Sequence, residues 1–302
     1  MSVPLPPGSL PVALMLQHGP MVRTWLRLFL RALIGRFLPT HTGYHPVACT
    51  VDAPPRYQVA AYERWCGAPA DPARVPAHLF SQWGLSPAMR IFEQSSYNLA
   101  EVINQGVSMR VLKPLPAGER LRIRASLESL RESGGATQVA VRIATGTMDD
   151  PERVIATLHS AFLNHGPGVR GAIVRPFRAA SKQWDSAGTW SAEAGDGLQF
   201  ALLTGDFNPI HWLDSAGRKS PFGRTVLQGL GMFVRTCEVL ARHGDVAEIE
   251  ARFLRPVPLP SGVMRVECAP SADEGWTVVR VVDAEDKVCL SGRFRRDLSP
   301  DQ

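Results

Sequence analysis

Two stretches of this chain are written alike. MRVLKPLPAGERLRI (109–123) aligns with ARFLRPVPLPSGVMRV (251–266), setting Lys113-Pro114 over Arg255-Pro256 at an offset of 256 − 114 = 142 residues. In both, an alternating run leads into a Pro-containing turn and a second alternating run, the pattern of neighbouring antiparallel strands. More strand-like sequence follows each copy: TQVAVRIATG (137–146) and RVIATLHSAFL (153–163) in the first half, WTVVRVVDA (276–284) and KVCLSGRFR (287–295) in the second. All four are rich in β-branched residues, and the turn signals SGG (133–135), MDDP (148–151), SADEG (271–275) and 283–286 separate them. A repeat this long predicts two copies of one α+β unit.

Helical sequence precedes each strand set. TVLQGLGMFVRTCEVLARHG (225–244) carries apolar residues at helical spacing, from Val226 and Leu230 through Phe233, Val234, Cys237 and Leu240. Gly229 and Gly231 each cost about 1 kcal/mol against Ala in a helix, a cost that implies close approach of something to the backbone. The counterpart HLFSQWGLSPAMRIFEQS (78–95) is interrupted by Pro87. Each unit therefore reads as a helix wrapped by antiparallel strands, and two units edge to edge make an internal pseudo-dimer.

A shorter helix ends each unit's first segment. DGLQFALLTGD (196–206) has Asp196 and Gln199 placed as an N-cap pair and Gly205 as its stop, and VAAYERWCGAP (59–69) aligns with it, Tyr62 on Phe200 and Gly67 on Gly205. Ala68 then stands where the second copy has Asp206. Only the second copy continues as T-G-D-F-N-P-I-H, with Asp206, Asn208 and His211 in one turn. A turn of purely structural use does not explain why its polar set is confined to one copy; one active site per pair of units does.

Composition narrows the classes. With 45% hydrophobic residues among 302, the chain can bury a core without crosslinks, and five cysteines without a C-x-x-C pair suggest neither a disulfide framework nor a zinc site. Free thiols fit a reducing cytoplasm. A net charge of +5, scattered rather than clustered, favours a small anion over nucleic acid. No Gly-rich phosphate loop lies between a strand and a helix, and His45, His78, His159 and His165 lack ligand spacing, so no cofactor or metal is expected. The segment 21–39 is apolar but interrupted by Arg23, Arg27, Arg31 and Arg36, which excludes a membrane span. It reads as an amphipathic helix that either packs on the protein's own body or makes peripheral contact with a membrane surface.

FALLTGDFNPIHW, followed by Ala216-Gly217 and by PFGRTVLQGLGM (221–232), resembles the hydratase-2 motif of MaoC-like dehydratases, the (R)-specific enoyl-CoA hydratases. The resemblance extends over about residues 50–296 and implies a single-chain double hot-dog fold. The expected organisation is a lead segment with the amphipathic helix (1–49), a degenerate N-terminal hot-dog (50–163), a linker (164–185) and a catalytic C-terminal hot-dog (186–302).

The same resemblance implies reversible hydration of trans-2-enoyl thioesters, on CoA or acyl-carrier protein, to (R)-3-hydroxyacyl thioesters in fatty acid metabolism. Asp206 and His211 are then the acid/base pair on the water, Asn208 fixes the turn, and the backbone N–H of Gly229 is the oxyanion donor. Gln228, Phe222, Arg224, Arg218 and Lys219 are candidate substrate contacts, the three basic residues for CoA phosphates; Trp83, Met89 and Phe92 are candidates to line an acyl tunnel. Three positions depart from the family pattern: Gln228 replaces His, Pro221 replaces Gly, and Leu213 replaces an Asp that here comes one position later as Asp214. Two other readings stand beside this one: a non-catalytic acyl-thioester-binding protein, and a hot-dog thioesterase, whose helix carboxylate has only Glu238 as a candidate. A fused pair already supplies a dimer contact, so monomer and homodimer both remain open.

Overall fold

The computed structural model describes residues 43–95, 102–133, 136–163 and 174–296, with Gly19 and Met21. Met21 is helical and buried; the rest of the 21–39 segment, like the turn glycines Gly134 and Gly135 and linker positions 164–173, lies outside the described residues.

In chain order the first unit comprises β1 (Val47–Val51), α1 (Arg56–Cys66), β2 (Arg74–Val75), a 3-10 turn (Ala77–Phe80), α2 (Ser81–Phe92), β3 (Val102–Val111), β4 (Leu115–Pro116), β5 (Leu121–Ser133), β6 (Ala136–Gly146) and β7 (Val154–Leu163). The second comprises β8 (Asp185–Trp190), α3 (Asp196–Thr204), a 3-10 turn (Pro209–His211), α4 (Asp214–Lys219), α5 (Gly229–Ala241), β9 (Glu248–Phe253), β10 (Met264–Pro270), β11 (Thr277–Val282) and β12 (Val288–Arg295).

Ten strands make one antiparallel sheet in the order β1-β5-β6-β7-β3-β9-β12-β11-β10-β8. The second half of that order repeats the first in reverse, so β3 and β9 meet at the centre. Their register carries the sequence repeat into space. Ser108 pairs with Glu250, which is 250 − 108 = 142 positions on, and around that pair Val107 faces Ala251 while Met109 faces Ile249. A strand that pairs with its own repeat at the repeat offset lies on a pseudo-two-fold axis.

Val107, Met109, Ile249 and Ala251 are buried on the sheet's inner face, where α2 and α5 lie. The alternate positions face outward in ion pairs, Arg110 with Glu248 and Arg293 with Glu250. Period-two alternation along β3 and β9 thus decides which face receives the helices.

Every residue of α5 from Leu230 to Leu240 is buried, with Phe233 fully so. Burying one such side chain contributes roughly 1.5–3 kcal/mol, so packing outweighs the cost of the helix's two glycines. Pro87 sits inside α2 and supplies no N–H to the preceding turn; buried Ala88 and Ile91 hold that helix against the sheet instead. Both short helices end as their sequences predict, with Gly67 at φ 81° and Gly205 at φ 83°, in the left-handed conformation that Gly adopts without strain.

The structure corrects two helix starts. Asp196 is the first helical residue of α3 and the cap is Gly195; the Asp196 carboxylate instead accepts from Glu193 N–H at 2.7 Å and from Arg235 Nη2 at 2.8 Å. The buried Arg235 guanidinium, stacked 4.4 Å over Trp65, draws that carboxylate away from capping. The long helix begins at Gly229, not near 225, because residues 225–228 are held extended: Leu259 N–H donates to Thr225 O and Leu227 N–H to Val257 O.

Polar groups also join the units. Gln58 Nε2 donates to Leu203 O at 3.1 Å, and Arg235 Nη2 to Trp65 O at 3.3 Å. His78 Nε2 approaches Glu238 Oε1 to 2.5 Å in a buried contact between the 3-10 turn of the first unit and α5 of the second. The same interior pushes the Cys66 thiol up to about 12 and raises Cys237 and the Tyr62 hydroxyl, in each case chiefly by burial.

Candidate active site

The turn after α3 is built by its own sequence. Left-handed Gly205 reverses the chain, and Thr204 Oγ1 donates to Phe200 O and accepts from Asp206 N–H at 3.5 Å. Asn208 caps the next 3-10 turn, its Oδ1 accepting from Ile210 N–H at 3.3 Å, and Pro209 takes the first turn position, where no N–H is needed. Trp212 Nε1 donates back to Phe207 O at 3.2 Å. Asp206, Asn208 and His211 are all half-buried.

His211 Nδ1 lies 2.7 Å from Val226 O. A carbonyl can only accept, so Nδ1 carries a proton, and in the neutral imidazole Nε2 is the nitrogen with the lone pair. The Asp206 carboxylate has no hydrogen-bond partner among the described residues; its backbone atoms carry the turn's bonds. One six-residue stretch thus presents an imidazole nitrogen free to accept a proton and an unengaged carboxylate.

α5 begins just after the extended segment 225–228, whose Val226 carbonyl holds His211. As the first residues of a helix, Gly229, Leu230 and Gly231 have N–H groups with no carbonyl inside it to receive them, which makes this end suited to negative charge. A Cβ on Gly229 would come within 2.6 Å of the Phe253 ring, and one on Gly231 within 3.2 Å of Trp65. Close approach therefore does account for both glycines, and the neighbours are aromatic rings from β9 and α1.

The other sequence candidates divide. Phe222, Arg218, Lys219 and Arg224 are exposed around the turn, beside exposed Trp212 and Leu213. Gln228 is 1% exposed, and its Nε2 donates to Gly197 O at 2.9 Å. Trp83 and Phe92 are closed into the core, Trp83 donating to Thr145 Oγ1 at 3.0 Å and Phe92 packed edge-on to Phe162. Met89, partly buried, packs against the same core. Glu238 is buried against His78.

Sequence reasoning passed over Gly197 and Val226. A Cβ on Gly197 would stand 1.8 Å from His211 O, so the turn at 204–211 lies directly on the start of α3. Val226 acts through its backbone carbonyl, which no side-chain pattern reveals.

No group of three or more His, Cys, Asp or Glu among the described residues could hold a metal ion, and no described helix is long and apolar enough to cross a membrane.

A long antiparallel sheet wrapped around two central helices, repeated about a pseudo-two-fold axis and carrying its polar turn once, defines a double hot-dog protein. Residues 186–288 match the family described as MaoC like domain, and the second unit carries that domain. Solved structures agree on the fold. HtdX of Mycobacterium tuberculosis superposes with a TM-score of 0.66 at 18% identity, over 83% of this chain and all of that one (100%). A MaoC-like dehydratase from Phytophthora capsici gives 0.69 at 15% identity, over 86% and 97%. The full-length peroxisomal multifunctional enzyme type 2 of Drosophila melanogaster gives 0.66 at 15%, covering 91% of this chain but 52% of that longer one. No curated protein matches the sequence significantly.

Proposed function

We propose that the protein catalyses the reversible hydration of trans-2-enoyl thioesters to (R)-3-hydroxyacyl thioesters. The observation that carries this reading is the His211 ring, whose Nδ1 is committed to Val226 O and whose Nε2 is thereby left as a base in the same turn as the unengaged Asp206 carboxylate. These two residues hold a water and take its proton as its oxygen bonds to C3 of the enoyl group. The electron pair of the C2–C3 double bond moves towards the thioester carbonyl, and the Gly229 N–H stabilises the resulting enolate oxygen. C2 then receives a proton from the acid/base pair, and the site returns to its starting state.

In this reading residues 186–302 are the catalytic unit, 50–163 its degenerate partner, 164–185 the connector and 1–49 a lead segment. Arg218, Lys219 and Arg224 are exposed where the phosphates of CoA, or an acidic acyl-carrier protein, would meet the site, and Phe222 adds apolar surface beside them. The setting is fatty acid metabolism in the cytoplasm, with the amphipathic 21–39 sequence either packed on the protein's own body or in peripheral contact with a membrane surface. The match of 186–288 to the MaoC like domain supports the reaction class. A thioesterase is disfavoured by one observation: Glu238, the carboxylate on the long helix, is buried and engaged with His78.

Incubation with crotonyl-CoA and with longer trans-2-enoyl-CoA tests the proposal. Loss of the enoyl absorbance without release of thiol is expected. Free CoA would instead identify a thioesterase, and no change with any chain length or carrier would leave a non-catalytic binder.

A further inference from the structure

Gln228 is enclosed between three parts of the site. Its carboxamide is 1% exposed, and Nε2 donates one proton to Gly197 O at 2.9 Å and directs the other at Asp206 O, a long contact of 3.5 Å. Gly197 in turn lies against His211, leaving no room for a Cβ beside His211 O. His211 Nδ1 returns to Val226 O, two residues before Gln228 in the same extended segment. These contacts close a ring, running from Gln228 through Gly197, His211 and Val226 back to Gln228, with Asp206 held as a branch. Gly229, the first residue of α5, follows directly.

The donor end of the carboxamide does all of this work. Gln228 Oε1 is buried without a hydrogen-bond partner, which is unfavourable for an amide kept only for stability, since an apolar side chain of the same shape would leave no orphan acceptor. A side chain so enclosed offers no surface to a substrate. We infer that Gln228 is a positioning residue: its Nε2 protons fix the backbone of Asp206 and, through Gly197, that of His211 relative to the start of α5. This rests on the reading of Asp206 and His211 as the acid/base pair, and it replaces direct substrate contact as the use of Gln228.

Gln228→Met keeps the length of the side chain, removes both donors and also removes the orphan oxygen, so the fold should be retained while the ring opens. Steady-state hydration of crotonyl-CoA is measured together with the ring-nitrogen NMR spectrum of His211, assigned by its loss in His211→Gln. The expected result is a fall in kcat on the order of a hundredfold with KM within about threefold, as befits a small misplacement of reacting groups. The His211 spectrum should depart from the pattern of a proton fixed on Nδ1. A raised KM at unchanged kcat, or unchanged kinetics, overturns the inference. If Gln228→Met does not fold, Gln228→Asn, which withdraws the same donors by one methylene, is expected to give the same pair of results and is judged by the same criteria. If the wild-type protein hydrates no enoyl thioester, the proposed function fails, and the spectrum alone decides: an unaltered His211 in either variant rejects positioning by Gln228, and an altered one supports it.

Discussion

His78 Nε2 and Glu238 Oε1 stand 2.5 Å apart in the interior, one from each unit of the repeat. The Tyr62 hydroxyl donates to His78 O at 3.0 Å, so the 3.0 Å contact between Tyr62 and His78 Nδ1 takes its proton from the imidazole. Nε2 and Glu238 then share a single proton, and the pair is neutral overall whichever atom holds it. Neutrality is what makes so buried a pair tolerable. Glu238→Ala should cost about 3–5 kcal/mol by urea unfolding, because it strips the buried imidazole of its partner. Glu238→Gln should cost less, since a carboxamide can still donate to Nε2. Equal, small effects from both variants would show that this contact does not hold the units together.

Asp206→Asn and His211→Ala should each lower kcat for enoyl-CoA hydration by on the order of 10²–10⁴. Both side chains are half-buried and neither is part of the core. Thermal unfolding should therefore move little. Retention of near wild-type turnover in either variant would remove that residue from the proposed chemistry.

Gly197→Ala places a methyl group where His211 O now lies, 1.8 Å from the new Cβ. Either the turn or α3 must move, at a cost of about 1–3 kcal/mol. Activity should fall further than stability, because the displaced residue carries the proposed base. A circular dichroism melt paired with the hydration assay separates the two losses.

Gly229→Ala sets a Cβ 2.6 Å from the Phe253 ring. The single variant should lose activity by displacing the first turn of α5. Adding Phe253→Ala should restore it in part, since the obstruction is a side chain and the N–H remains. If the double variant is as inactive as the single one, steric relief at the ring is not what Gly229 provides.

Burial raises all five thiols above their ordinary value, Cys66 to about 12 and Cys268 and Cys289 to about 11. At pH 8 all five therefore remain mostly protonated, and the thiolate is the reactive form. Iodoacetamide at pH 8 should label the native protein slowly and the urea-unfolded protein at five sites. Rapid native labelling at Cys66 or Cys237 would show that the interior between α1 and α5 opens.

The sequence by itself determined the repeat, and the repeat determined a good deal. The offset that aligns Lys113-Pro114 with Arg255-Pro256 is the offset at which Ser108 meets Glu250 across the central strands. It survives into space because alternation fixes which side chains face the helices and leaves the strands few registers. The turn at 204–211 was legible for the same local reason: Gly205, Asn208 and Pro209 each impose a backbone geometry on their immediate neighbours. Only the tertiary structure decided what those residues touch. Asp196, placed by sequence as a cap, answers to Arg235, 39 residues away; His211 answers to a carbonyl 15 residues on; and Gln228 turns its amide to Gly197, 31 residues back. Contacts of that kind depend on where separate elements come to rest, and a backbone carbonyl leaves no mark in the identity of the residue that carries it.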